Sequence, residues 1–179
     1  NPHRAIARKS VENLLVIKDD EVYCQPCVSP VWDTALAAHA MLEVGSDEAV
    51  AQAHRALDWL KPRQVLDVVG DWADQRPDVR PGGWAFQYNN AHYPDVDDTA
   101  MVLLALSRVR THDGLRQQQS MRRGLAWLLS MQNADGGWGE GCDTYFDPSR
   151  RGQGERSTSF HTAWALLGLM ASAGLTQND

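Results

Sequence analysis

The sequence predicts an all-α fold built from repeated helix pairs, and three regularities in its 179 residues predict it. The dipeptide Thr-Ala opens an apolar helical pattern at Thr34, Thr99 and Thr162, at intervals of 65 and 63 residues. A second pattern, "RALDWLKPRQ" (55–64) and "RGLAWLLSMQ" (123–132), recurs 68 residues apart and sets Trp five positions before Gln each time. Each Gln is followed by a glycine-tryptophan turn, read as Gly70-Asp71-Trp72 after the first and Gly136-Gly137-Trp138 after the second. The unit is helix, loop, helix, glycine-rich turn. Units of this size bury their apolar faces by stacking on neighbours.

The elements follow in chain order. "TALAAHAML" from Thr34 and the pattern at 55–64 form the first pair. In the second, Met101, Leu104 and Ala105 fall at helical spacing after Thr99, and Met121, Leu125 and Leu128 do so in the partner helix. "TAWALLGLMASAG" from Thr162 opens a third. Little of the chain reads as strand, and helices apolar over so wide a stripe close toward a barrel or a curved stack. In the second turn, Gly136 and Gly137 permit positive φ at a helix end. Gln132 is placed to bond the carbonyls freed there, and Trp138 is large enough to plug the gap between units. Trp59, Trp127 and Trp138 read as packing, and His39 and His54 as helix-surface residues.

Composition narrows the function. Hydrophobic residues make up 43% of the chain, enough for a sizeable core, and the net charge of −6 without a long basic run excludes a phosphate-tracking nucleic-acid surface. The longest apolar run, Ala100 to Leu106, is far short of the roughly 20 residues a membrane span requires. The N-terminal "NPHRAIARKS" has no apolar core of a signal peptide, and the absence of an initial Met suggests a fragment or a processed product. Cys24-Gln25-Pro26-Cys27 has the spacing of a redox or metal pair. No second pair accompanies it and the run continues as loop, so it reads as two reduced cysteines near a helix entry.

The stretch "YPDVDDTAM" (93–101) sets three carboxylates within four positions, directly before the most apolar helix. One reading is a helix cap: an acid at a helix N-terminus is worth about 0.3–1 kcal/mol. That accounts for one acid or two. It does not account for three, because mutual repulsion of one pKa unit already costs about 1.4 kcal/mol. The other reading is an acid kept neutral by burial and by its neighbours, with Asp95, Asp97 and Asp98 sharing protons.

Taken together, "QPCVSPVWDTAL" (25–36), "PGGWAFQYNNAHYPDVDDTA" (81–100) and "QNADGGWGEGCDTYFDP" (132–148) resemble the squalene–hopene cyclase branch of the class II triterpene cyclases. The last holds Gln-x-x-x-Gly-x-Trp, the family's repeat signature, and residues 95–98 hold its Asp-x-Asp-Asp signature. The resemblance implies an α/α-barrel toroid of the terpenoid cyclase and prenyltransferase type, here incomplete, with residues 1–179 as one barrel-type domain. Family members are several times longer. Residues up to about 131 look like one continuous middle piece, and those from about Gln132 like a later one, which puts a junction near 132. The segment absent between them supplies, in the family, a histidine that hydrogen-bonds the catalytic acid. By repeat alignment Trp164 occupies that place, and His161 falls one turn short of it.

The resemblance also implies the chemistry: proton-initiated cyclisation of squalene to hopene or hopanol in hopanoid biosynthesis. Asp97 would be the proton donor, with Asp95 and Asp98 setting its environment. An alkene is a very weak base, so the acid has to be neutral, strong and close. Cations formed during ring closure want electron-rich walls that do not react with them. "GGWAFQY" puts Trp84, Phe86 and Tyr88 on one side if extended. By resemblance Phe86 lines the cavity, Trp32 lies beside the acid end, and Asp33 belongs to the polar network there. No cofactor or metal is implied, since squalene carries no diphosphate. The expected partners are squalene delivered from the bilayer and a second copy in a homodimer, with the protein attached peripherally at the cytoplasmic face of the bacterial inner membrane.

Two other classes are consistent with the residues. A prenyltransferase-like barrel would bind zinc, with Cys142, Asp143 and His161 as imagined ligands, although that family orders its ligands Asp-x-Cys. A non-catalytic helical-repeat fragment or lipid-binding module would bind hydrocarbon without turning it over.

Overall fold

The computed structural model describes residues 2–24, 29–74, 76–87, 90–109, 113–141, 143, 146–150 and 156–173. Among them are six α-helices: α1 (Pro2–Asn13), α2 (Pro30–Val44), α3 (Asp47–Leu60), α4 (Val96–Ser107), α5 (Gly114–Ser130) and α6 (Ser159–Ser172). Two short antiparallel ribbons, β1 (Leu15–Ile17) with β2 (Val22–Cys24) and β3 (Trp84–Ala85) with β4 (Pro94–Asp95), accompany them, with short 3₁₀ helices at Lys61–Arg63, Asp71–Asp74 and Pro148–Arg150. The fold is all-α, as the sequence predicts. Cys24 lies in β2, whereas Cys27 and Cys142 lie outside the described residues.

Local chemistry sets the helix ends. Pro30 occupies the first turn of α2, where its missing N–H costs nothing. Gly45 ends that helix at φ 69°, and its N–H reaches Met41 O. Ser46 caps α3 by accepting from Ala49 N at 3.3 Å. Below its C-terminus the Arg63 guanidinium stacks 3.3 Å from the centre of the Trp59 ring.

Helix α4 is the centre of the molecule and touches α2, α3, α5 and α6. Its residues Val96, Ala100–Leu103, Ala105 and Leu106 are all buried, so its sequence is apolar around most of the circumference rather than on one stripe. Leu57 and Leu60 of α3, Leu128 of α5 and Ala165 of α6 belong to the same core. His39 and His54, expected on helix surfaces, are half-buried, and His39 Nδ1 is enclosed without a hydrogen-bond partner.

The repeat proves to be a clasp of four hydrogen bonds made twice. In the second copy, Trp138 Nε1 donates to Leu128 O (2.8 Å) and Trp138 N to Thr162 Oγ1 (3.0 Å). Gln132 Nε2 donates to Gly136 O (2.8 Å) and Asn133 N to Gly137 O (2.8 Å). In the first copy, Trp84 Nε1 donates to Leu60 O (2.9 Å) and Trp84 N to Thr99 Oγ1 (2.9 Å). Gln64 Nε2 donates to Gly82 O (2.7 Å) and Val65 N to Gly83 O (2.9 Å). Each Trp therefore satisfies a carbonyl freed at a helix end and grips the threonine of the next helix.

This corrects three expectations. The equivalent of Gly136-Gly137-Trp138 is Gly82-Gly83-Trp84 and not Gly70-Asp71-Trp72, because the loop between Gln64 and Gly82 is an insertion within the first turn. Trp72 instead meets Trp127 edge-on, with ring centroids 6.4 Å apart. Trp84 is fully buried in the core, and strand geometry stops at Ala85, so Trp84 and Phe86 do not form an extended aromatic face. Tyr88 lies outside the described residues. Of the two glycines in the second turn, Gly136 carries the positive φ, 86°. Gln132 closes that turn rather than the helix end. The helix-end carbonyl of Leu128 goes to Trp138, and that of Ser130 to the Arg76 guanidinium.

Helices α4 and α6 approach closely because Gly168 faces Ala100: a Cβ at Gly168 would lie 2.9 Å from Ala100 Cα and 3.0 Å from Ala100 Cβ. Gly168→Ala is therefore expected to lower stability by about 1–3 kcal/mol through overpacking, read as a fall in melting temperature against the wild-type chain. An unchanged melting temperature would mean that α6 does not seat on α4 as described.

Candidate functional site

The site is built at the start of α4. Pairing of β3 with β4 sets Asp95 opposite Trp84, and the chain turns into the helix there. Three acids compete to cap it, and the backbone decides: Asp95 is extended (φ −127°, ψ 165°), and its Oδ1 accepts from Asp98 N at 2.8 Å. The cap is thus Asp95, not Asp97 or Asp98, which occupy the first turn. Asp98 is 2% exposed, and its Oδ1 is enclosed with no hydrogen-bond partner. Asp95 and Asp97 are half-buried.

A fourth acid joins them. Glu140, two residues beyond Trp138, accepts from Val96 N at 2.7 Å through Oε1. Its other oxygen lies 4.0 Å from Nε2 of His161, in the first turn of α6. One ligand atom each from Asp97, Glu140 and His161 lie within 4.8 Å of one another. The opposite face of the imidazole is held by Thr158, the N-cap of α6, whose Oγ1 is 2.9 Å from His161 Nδ1.

The electrostatics follow from crowding acids in a dry place. Burial pushes the Asp98 carboxyl up to about 7, helped by the charges of Asp97 and Asp33, while its contact with Asp95 pulls the other way. Asp95 rises well above the usual carboxylate range, first through burial, then through Asp98, Glu140 and Asp97. Glu140 rises likewise, through burial and then the charge of Asp97, against the bond from Val96.

The other expected residues are distributed around this cluster. Trp32, in the first turn of α2, meets Trp164 of α6 edge-on at 5.3 Å between ring centroids. Phe160 adjoins both Trp164 (6.5 Å) and His161 (5.3 Å), so an aromatic row runs from α2 along α6 to the acids. Phe86 is half-buried, and its carbonyl accepts from Val31 N at 3.4 Å, which places it by the start of α2. Asp33 is exposed, yet its charge reaches Asp98. A cavity lined by Val31, Arg63, Gln64, Val65, Ala85 and Gln87, among others, has none of Asp95, Asp97 and Asp98 in its wall.

Trp164, the residue aligned with the family's histidine, packs on Trp32, whereas His161 reaches the acids. Helical side chains lean toward the N-terminus, so a residue in the first turn reaches past the helix start. Glu140 was not singled out in the sequence. The signal available was its place two residues after the repeat tryptophan, where the first copy has Phe86. As for a metal, Asp97, Glu140 and His161 could each offer one atom. The 4.0 Å between Glu140 and His161 exceeds the roughly 3.3 Å between neighbouring ligands that 2.0–2.1 Å bonds impose on a tetrahedral zinc. Of the imagined zinc set, Cys142 is outside the described residues and His161 faces Glu140.

The model of the squalene-hopene cyclase C-terminal domain matches residues 28–134 and again 116–179. A probable squalene–hopene cyclase of Sinorhizobium fredii is 60% identical over 138 residues, covering 76% of this chain and 21% of its own length. The squalene–hopene cyclase of Bradyrhizobium diazoefficiens gives the same figures. That of Zymomonas mobilis is 58% identical over 147 residues, 78% of this chain and 22% of its own. The chain spans about a fifth of the length of these curated relatives. With its two clasps, its buried acids and these matches, the chain belongs to the squalene–hopene cyclase family.

Proposed function

We propose that the chain carries the proton-donating end of a squalene–hopene cyclase and starts the cyclisation of squalene to hopene or hopanol, with Asp97 as donor. The observation that carries this is the buried Asp98 carboxyl beside Asp97, with an oxygen that has no partner. Raising a carboxyl from 3.8 to about 7 corresponds to roughly 4 kcal/mol. A helix N-terminus returns about 0.3–1 kcal/mol per charge, so burial and repulsion prevail and protons stay in the cluster near neutral pH. An acid surrounded by groups that already hold protons gives its own to a weak base more readily.

Trp32 with Trp164 and Phe160 supplies the electron-rich surface next to the acids, Phe86 lies toward α2, and Asp33 adjusts the charge on Asp98. The two matches, overlapping at 116–134, support reading residues 1–179 as one domain with a junction near 132, where two repeat copies look alike. No helix among the described residues is long and apolar enough to cross a membrane. Peripheral contact at the cytoplasmic face of the inner membrane is the proposed route of substrate delivery. The outer side of α6, with Phe160, Leu166, Leu167 and Met170 exposed, offers an apolar surface for such contact or for a second copy. That surface also favours one alternative, a lipid-binding fragment without turnover.

Two outcomes are expected. The purified chain converts squalene in detergent to hopene or hopanol, and Asp97→Asn abolishes product while leaving the melting temperature within a few degrees. Squalene binding with no product from the wild-type chain would instead establish the lipid-binding alternative. Second, an acid whose folded pKa is raised holds more protons folded than unfolded, so it lowers stability as pH climbs between the two values. The Asp98 contribution accordingly declines between pH 3.8 and about 7, and Asp98→Asn flattens that part of the stability–pH curve. A curve of unchanged slope would remove Asp98 from the cluster.

A further inference from the structure

Glu140 and His161 stand outside the acid motif, and their geometry gives them a direction. Glu140 Oε1 is committed to Val96 N, which leaves Oε2 to face His161 Nε2 at 4.0 Å. Thr158 Oγ1 accepts from His161 N at 3.1 Å, so its hydroxyl hydrogen is available to Nδ1 at 2.9 Å. In the neutral ring that arrangement leaves the hydrogen on Nε2, on the side of Glu140 and 4.0 Å from Oε2, beyond direct hydrogen-bond reach. Asp97 completes the group from α4. One end of the series is the proposed donor. The other is an imidazole whose side chain is 18% exposed beside a Glu140 side chain 28% exposed, so both meet solvent.

We propose that Glu140 and His161 return the proton to Asp97 after each donation, acting as positioning residues behind the acid. This rests on the reading that Asp97 gives its proton to an alkene. In that step an O–H bond of Asp97 breaks and a C–H bond forms. The Asp97 carboxylate then takes a proton from the Glu140 carboxyl, and Glu140 takes one from the Nε2 of His161 in its protonated form, in which Nδ1–H donates to a turned Thr158 hydroxyl; the ring then takes one from solvent. The cyclised cation ends by releasing a proton to water or by capturing water and releasing one, so no proton is consumed overall. The charges facing Glu140 are Asp97, Asp98 and Asp95 from the start of α4 and its cap, and His161 from α6; Asp33 of α2 acts through Asp98. Burial together with the charge of Asp97 lets Glu140 hold a proton for transfer.

The test separates giving a proton from regaining it. In rapid-mixing experiments on the full chain with detergent-solubilised squalene, Glu140→Gln and His161→Ala should retain a burst of one product per protein. Their steady-state rate should fall roughly 10²-fold, the usual scale for a lost general acid or base. Imidazole should restore His161→Ala, and Glu140→Asp should recover part of the rate. If burst and steady state fall together, or imidazole does nothing, the relay is overturned. If the wild-type chain makes no product, the cyclase reading fails, and the proton-sharing is judged alone by NMR titration of the wild-type Glu140 carboxyl and His161 ring. A shared titration step supports it, and independent steps overturn it.

Discussion

Two indole N–H groups hold this molecule in register. Trp84 ties the end of α3 to the first turns of α4, and Trp138 ties the end of α5 to the first turns of α6. A helix end frees carbonyls that are costly to bury unbonded, and a ring that satisfies one while filling the space between units does two tasks at a single residue. The threonine contact matters as much, because it fixes where the following helix starts. Since the candidate site consists of the starts of α4 and α6, its geometry is set by these clasps rather than by the acids.

The acids are then forced into a setting they would not choose. An ordinary N-terminal carboxylate faces water and the helix dipole keeps it ionised. Here α4 is buried along most of its length, so its first turn is drawn inward with it, and Asp98 goes along. Asp95 is held by capping, and Glu140 by the bond from Val96. Each is placed by a backbone hydrogen bond that stabilises the anion, and each is nonetheless surrounded by enough protein and like charge to favour the proton. Burial and like charge thus both push these carboxyls toward the protonated form.

Much of this was legible in the sequence, and the failures have physical causes. Helix order was readable because apolar spacing and the Trp–Gln interval are local signals. The first turn was misassigned because spacing alone does not distinguish a turn from a loop inserted into one, and Gly70 and Trp72 imitate the motif. Choosing the cap among Asp95, Asp97 and Asp98 required backbone dihedrals, since all three acids are equally suitable by residue type. Glu140 was invisible for a different reason. A single Glu in a glycine-rich loop has no periodicity, and its burial arises only when the loop returns to the start of α4.

Equivalence of the two clasps gives the chain two helix starts of the same build. Counting from the clasped threonines, Thr158 stands where Asp95 stands, Phe160 where Asp97 stands, and His161 where Asp98 stands. Both capping residues accept from the N–H three residues ahead. The same backbone scaffold is therefore dressed with acids in one copy and with an aromatic ring and a base in the other. The scaffold brings the two starts within reach of each other, as the grouping of Asp97, Glu140 and His161 shows. Any helix of this repeat placed against α4 would deliver its first-turn residues to the acids. Which residues it carries there decides what the acids meet, so the make-up of the candidate site depends on α6 as much as on the Asp-x-Asp-Asp motif.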